Sequence, residues 1–212
     1  MDRSRFAALP SGRHHLTPEE VRASQRGRML LGMAEMVADK GYARTSVADV
    51  LKRVHVSRDT FYQHFSGKED CFLAALDQCG DTIFGAVVNA VISAEPDATG
   101  SPLDRFDRAL RVYLDTLTDE WTLARTFFLE GYAAGPVAQQ RRFEVQERFV
   151  KILAANFAED PAWRTVPDPL FAARTLAAAL NSLVTGVLAS GERDRLPALH
   201  GPVTELLRHL LR

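Results

Sequence analysis

Residues 45–70 read TSVADVLKRVHVSRDTFYQHFSGKED. Val47, Val50, Leu51 and Val54 fall at i, i+3, i+4 and i+7, the apolar stripe of a short helix. Thr45 or Ser46 can cap its N-terminus, with Asp49 near the positive end of the helix dipole. His55-Val56 leaves room only for a tight link. Ser57 then caps a further short helix through His64, on which Phe61 and Phe65 share a face. Ser66-Gly67-Lys68-Glu69 has the S-x-x-E spacing of a capping box and opens a long helix to about residue 94. Short helices joined by a tight link are the layout of a helix-turn-helix unit. Such a unit needs a short helix that stands proud of a small core and fits the major groove. Val47, Val50, Leu51, Val54, Val56, Phe61 and Phe65 can fill that core. Arg58, Asp59, Tyr62, Gln63 and His64 are left pointing outward, with hydrogen-bonding groups suited to base edges and phosphates.

Upstream, residues 1–16 carry Arg3, Arg5, Arg13, His14 and His15 without periodicity and read as a flexible basic arm, either idle or tracking a groove. The adjacent histidines lack a third ligand at suitable spacing, so no metal site is expected. Thr17-Pro18-Glu19-Glu20 opens a helix, with Thr17 as cap, Pro18 at the first position and Glu20 at the reciprocal position. Met29, Met33, Met36 and Val37 lie on one face of it, with Leu30 beside them, and Gly41 closes it. Downstream, Pro96, Gly100 and Pro102 mark a break, and helical stripes recur over 101–118, 121–132, 137–158, 176–188 and 203–211. No run alternates at strand period. The expected fold is all-α with about nine helices: an arm at 1–16, a helix-turn-helix domain at 17–67 and a helical domain at 68–212.

The composition is that of an ordinary globular chain. Of 212 residues, 46% are hydrophobic and 25% charged, which excludes wholesale disorder. The net charge of −1 hides a split. Residues 1–68 hold 12 Lys and Arg against 7 Asp and Glu, whereas residues 69–212 hold 14 against 20. A basic front on an acidic body suggests a DNA-facing or membrane-facing N-terminal part. Cys71 and Cys79 lie two helical turns apart, too far to bridge, and read as small buried hydrophobes. The stretch 176–190 is broken by Asn181, Ser182 and Thr185 and falls short of the ~20 residues a bilayer needs. No secretory segment is read at the start either, so a cytoplasmic protein without a membrane partner is expected. The chain has no G-x-S-x-G, no phosphate-cradling glycine loop and no H-E-x-x-H pair. Neither catalytic residues nor a cofactor are expected.

Residues 45–70 resemble the DNA-binding signature of the TetR/AcrR family of transcriptional regulators. Thr45-Ser46-Val47, Asp49-Val50, Val56-Ser57, Thr60-Phe61-Tyr62, Phe65 and Lys68-Glu69 carry the resemblance, which extends over about residues 25–75. It implies a homodimer whose C-terminal helices form both the interface and a pocket whose ligand releases DNA. It also implies phosphate contacts from Tyr62, His64 and Lys68, with Ser57 and Thr60 at the start of the reading helix, and Thr45 or Ser46 placing the preceding helix on the backbone. Arg58 and Gln63 are the base-reading candidates, since Arg can fork onto guanine and Gln onto adenine. For Tyr62, packing on the next helix competes with DNA contact; for Lys68, the competing role is a solvated charge. Two residues depart from the family pattern. His55 stands where glycine is usual, at a position that tends to positive φ, and Asp59 replaces a common glycine. Asp59 can cap the helix N-terminus or accept from cytosine.

For the pocket, Trp121, Phe127, Phe128 and Tyr132 form an aromatic cluster, with Phe84, Val88 and Asn89 on the long linking helix. For any one of these residues core packing is the favoured role, and the resemblance raises ligand binding for the group, not for individuals. Arg125 and Glu130 are candidate polar handles, with a surface ion pair as the competing role. The stripes containing Leu176, Leu180, Leu183, Val184 and Val187, and Leu206, Leu207 and Leu210, suit a four-helix dimer interface. The expected function is a repressor that binds a palindromic double-stranded DNA operator as a homodimer and is released by a small, largely apolar molecule. A DNA-binding activator or architectural protein without an effector is the alternative, and a helical enzyme a more distant one.

Overall fold

In a computed structural model, residues 17–92, 101–158, 160–164 and 166–210 are described. The basic arm at 1–16 lies outside them. The described residues are all-helical, with nine substantial helices and two four-residue turns, Pro161–Arg164 and Arg195–Ala198. The chain divides into two compact units, Met1–Gln78 and Cys79–Arg212.

The first unit holds α1 (Pro18–Lys40), α2 (Val47–Val54), α3 (Arg58–His64) and the beginning of α4 (Lys68–Ile92). Its helices are set by local chemistry. The Thr17 hydroxyl accepts from the Glu20 N–H at 3.2 Å, while Glu20 Oε2 accepts from the Thr17 N–H at 2.7 Å, completing the expected capping box. Gly41 ends α1 at a φ of 85°. Ser46, not Thr45, caps α2, and Asp49 returns the bond to the Ser46 N–H. Ser57 caps α3. Ser66 departs from expectation: its N–H and hydroxyl both donate to Asp70 Oδ2, one residue beyond Glu69.

Met29, Met33, Val37, Val50, Val54 and Phe61 are fully buried. Cys71, Phe72 and Leu76 of α4 are buried in the same unit. Their apolar side chains are the reason this unit runs to Gln78, past the helix start at Lys68. Gly32 permits the close approach of α1 to α2: a Cβ there would lie 2.3 Å from Val54 Cγ1. Glu35 of α1 and Arg53 of α2 pair across the same contact.

The second unit contains the rest of α4, α5 (Pro102–Asp119), α6, α7 (Pro136–Phe157), α8 (Pro169–Ser190) and α9 (His200–Leu210). α6 begins as Trp121–Arg125, widens into a π-type turn at Thr126–Glu130 and ends at Gly131–Ala133. α8 packs along α7, and α9 along α5.

Residues 68–90 of α4 and the whole of α8 are long and apolar enough, by length and composition, to cross a membrane. This differs from the expectation, which stopped the apolar run short of Arg174. Both helices nevertheless make internal contacts. Cys79, Ile83 and Val87 of α4 are buried. On α8, Arg174 pairs with Glu147 at 2.9 Å, and the Leu188 carbonyl accepts from Arg125 at 2.5 Å.

Candidate nucleic-acid interface and ligand cavity

The link between α2 and α3 turns on His55, which adopts φ 54° and ψ 49°. It is the single non-glycine residue with positive φ among the described residues. The residue that departs from the family pattern therefore takes the left-handed conformation glycine would take, with its side chain exposed. Behind it, Phe61 and Phe65 are buried against each other, ring centroids 5.5 Å apart. This anchors one face of α3 and turns Arg58, Asp59, Tyr62 and Gln63 to the surface. Tyr62 is 47% exposed, and the Arg58 guanidinium lies 5.7 Å from its ring centroid. Ser57 and Thr60 share a hydroxyl–hydroxyl bond of 2.8 Å at the helix start.

Three expected contact residues sit differently from a free surface group. Thr45 is 2% exposed, and its hydroxyl donates to the carbonyls of Met36 and Gly41, so it fastens the α1–α2 loop; Ser46 is the exposed residue of the pair. His64 is half-buried and its Nε2 has no hydrogen-bond partner. Desolvation, then the charges of Arg26 and Arg22, push its imidazole below the ordinary range, so it is neutral at pH 7. Lys68 is half-buried, donates to the Tyr42 carbonyl at 3.0 Å and rests 4.1 Å from the Tyr42 ring centroid. Burial pushes both free thiols, Cys71 and Cys79, up to about 12, which fits small buried hydrophobes.

The second unit is hollow. A half-open cavity of about 120 Å³ lies between α4, α5, α6, α7 and α8. Phe106, Leu110, Phe127, Phe128, Phe149 and Leu153 supply much of its apolar wall. Five polar side chains interrupt that wall: Arg105, Arg142, Gln146, Asn156 and Asn181. Arg105 Nε donates to Asn156 Oδ1 at 2.9 Å. Tyr113 also lines it, and burial pushes its hydroxyl up, opposed by the nearby Arg142 charge.

Of the expected pocket residues, Phe127 and Phe128 line the cavity. The other five do not. Cys79, Ile83 and Val87 set the inward face of α4 at i, i+4 spacing, so Val87 reaches the cavity while Val88 and exposed Asn89 turn aside. Phe84 packs behind the wall, edge-on to Phe149 at 5.2 Å. Trp121 opens α6 six residues before its first lining residue, and Tyr132 is half-exposed above Arg142. Neither Arg125 nor Glu130 lines the cavity.

Of the expected interface residues, Leu183, Leu206 and Leu210 are exposed. Leu176 and Leu180 are half-buried and line the cavity. Val184, Val187 and Leu207 are already buried in the chain's own core and offer nothing to a partner. The apolar stripes proved wider than one use: their inner edges face the core or cavity, their outer edges solvent.

Arg142 was missed by sequence reasoning, although a signal was present. Ala138, Val145, Phe149 and Ile152 follow helical spacing, and Arg142 occupies the same stripe. A charge on an apolar stripe marks a buried polar site.

A family model described as "Bacterial regulatory proteins, tetR family" matches residues 32–75, which span α2, α3 and their flanks. The HTH-type transcriptional activator FasR of Mycolicibacterium smegmatis is 26% identical over 60% of this chain and 56% of its own length. The A-factor receptor protein of Streptomyces griseus is 26% identical over 91% of this chain and 65% of its own. The chain thus spans roughly three-fifths of the length of these curated relatives. Among solved structures, the transcriptional regulator FadR from Bacillus subtilis in complex with stearoyl-CoA shares the fold at a TM-score of 0.72 and 18% identity, over 85% of this chain and 96% of that one. Residues 32–75 thus match the tetR family of bacterial regulatory proteins, and the fold is one that solved tetR-family regulators share.

Proposed function

We propose that this chain is a cytoplasmic, ligand-responsive DNA-binding transcriptional repressor and not an enzyme. The observation that carries the reading is the outward face of α3, where Arg58, Tyr62 and Gln63 are exposed on a helix anchored by Phe61 and Phe65. Arg58 and Gln63 read bases, while Tyr62, Lys68 and the capped starts of α2 and α3, at Ser46 and Ser57, meet phosphates. Thr60 holds Ser57 in place. His64, at the end of α3, is a further backbone contact.

Two copies bind one palindromic operator, with α3 helices about 34–36 Å apart, in successive major grooves. The exposed apolar side chains of Phe171, Leu183, Leu206 and Leu210 form the dimer contact. Left uncovered, they would be an unusual apolar patch. Introducing Leu206→Glu together with Leu210→Glu should halve the mass seen by light scattering while leaving the helical circular dichroism unchanged. The cavity takes an apolar or acyl-chain effector, consistent with the stearoyl-CoA of the FadR complex. The same cavity argues against the effector-free alternative, which requires a filled core. Effector weakens DNA binding, and by linkage DNA weakens effector binding equally.

The test is selection of bound duplexes from a random pool. The expected outcome is a palindrome; an unselected, sequence-random outcome would refute specific recognition. A second reading, activation, is favoured by the likeness to the activator FasR. In vitro transcription from a promoter carrying the selected site separates the two.

A further inference from the structure

Resting on the cavity reading above, we infer that the effector is an amphiphilic anion: an apolar chain or ring system ending in a carboxylate that docks on Arg142.

Arg142 is 5% exposed and lines the cavity. Among the described residues no carboxylate pairs with it. Its Nε is buried and has no hydrogen-bond partner, and its Nη2 reaches only Asn181 Oδ1, at 3.4 Å. Other arginines of the same unit are matched to acids: Arg148 with Asp81 at 2.7 Å and Arg174 with Glu147 at 2.9 Å. A buried guanidinium is costly unless its donors are met. Here the partial compensation comes from three ring faces, with Tyr132 at 3.9 Å, Phe127 at 5.2 Å and Phe128 at 5.6 Å from the guanidinium carbon. Rings attract the charge but are poor acceptors for its in-plane N–H bonds, so the Nε donor stays unmet. A carboxylate is the ligand group whose geometry and charge match that edge.

The surroundings define the rest of the ligand. Beyond Arg142 the wall is apolar along Leu110, Val145, Phe149 and Leu153. The second polar pair, Arg105 with Asn156, already bonds internally. Phe127 and Phe128 belong to the π-type turn of α6, so the one stretch of irregular helix in the wall presents its rings to the guanidinium.

The experiment compares dodecanoate, methyl dodecanoate and dodecanol, binding to the full chain at pH 7 by calorimetry. Wild type should bind dodecanoate more tightly than either neutral ligand by about tenfold or more, the value of one charge-assisted hydrogen-bonded pair. Arg142→Met, of similar length and apolar, should erase that preference while retaining dodecanol binding, which reports an intact cavity. Arg142→Lys should keep part of the preference. Equal binding of all three ligands by wild type, or tighter binding of the ester, overturns the anion inference and leaves the cavity reading standing. Binding of none of them overturns the inference and the acyl-chain reading together. The wild-type comparison decides the matter even if Arg142→Met fails to fold.

Discussion

The two units of this chain use the same building material, amphipathic helices, for opposite ends. The first buries Met29, Met33, Val50, Val54 and Phe61 completely in a compact core, and its candidate chemistry lies outside, on α3. The second is hollow, and its chemistry lies inside, on the cavity wall. A solid core fixes the shape of a small reading surface. A hollow one leaves shape dependent on what fills it. That difference is the physical basis for expecting one unit to recognise DNA and the other to respond to a ligand.

The contrast can be broken by paired truncations. Phe61→Ala in the solid unit should cost about 3–5 kcal/mol, the range for a fully packed phenylalanine. Phe128→Ala, whose ring already borders empty space, should cost about 1–2 kcal/mol less, because part of its surface has no packing partner to lose. Denaturant unfolding monitored by circular dichroism measures both, and equal costs would remove the solid-versus-hollow distinction. Next in size, Gly32→Ala forces a Cβ to within 2.3 Å of Val54 Cγ1. It should cost about 1–3 kcal/mol and weaken DNA binding through displacement of α2, without changing dodecanol binding in the second unit.

The first unit was largely legible in the sequence because its determinants are local. Caps at Thr17, Ser46 and Ser57 and stripes such as Val50–Val54 act within a few residues, and the positive φ at His55 was implied by the glycine usual there in the family it resembles. What the sequence did not show there are two tertiary contacts: Thr45 turns inward to two carbonyls, leaving Ser46 exposed, and Lys68 donates to the Tyr42 carbonyl across 26 positions. The cavity was much less legible. Its wall is drawn from α4 to α8, from Val87 to Asn181, and periodicity says which face of a helix is apolar without saying what it faces. Aromatic residues drew attention to Trp121 and Tyr132, whereas the informative residue was Arg142, a charge on an apolar stripe. Leu176 and Leu180 line the cavity and Val184 is buried for the same reason: an apolar stripe can serve cavity, core or partner.

A smaller effect concerns acid. The folded state lowers the pKa of His64 below its unfolded value of about 6.5. Above that pH both states hold a neutral ring and stability is unaffected. As pH falls through about 6.5, the unfolded chain takes up a proton the folded one resists, so stability declines until the folded ring titrates as well. His64→Gln should flatten this decline in unfolding experiments between pH 7 and 5. An unchanged slope would show that His64 does not contribute to it.

The central claim is that the outward face of α3 reads DNA. Its most direct test is a fluorescence-anisotropy titration of the selected duplex and a scrambled duplex with wild type and with an Arg58→Ala, Gln63→Ala double variant. The expected result is that wild type prefers the selected duplex, and that the variant loses about 1–3 kcal/mol of that preference per removed base contact while still binding both duplexes in a salt-dependent way. An undiminished preference in a folded double variant would contradict the assignment of α3 as the reading helix.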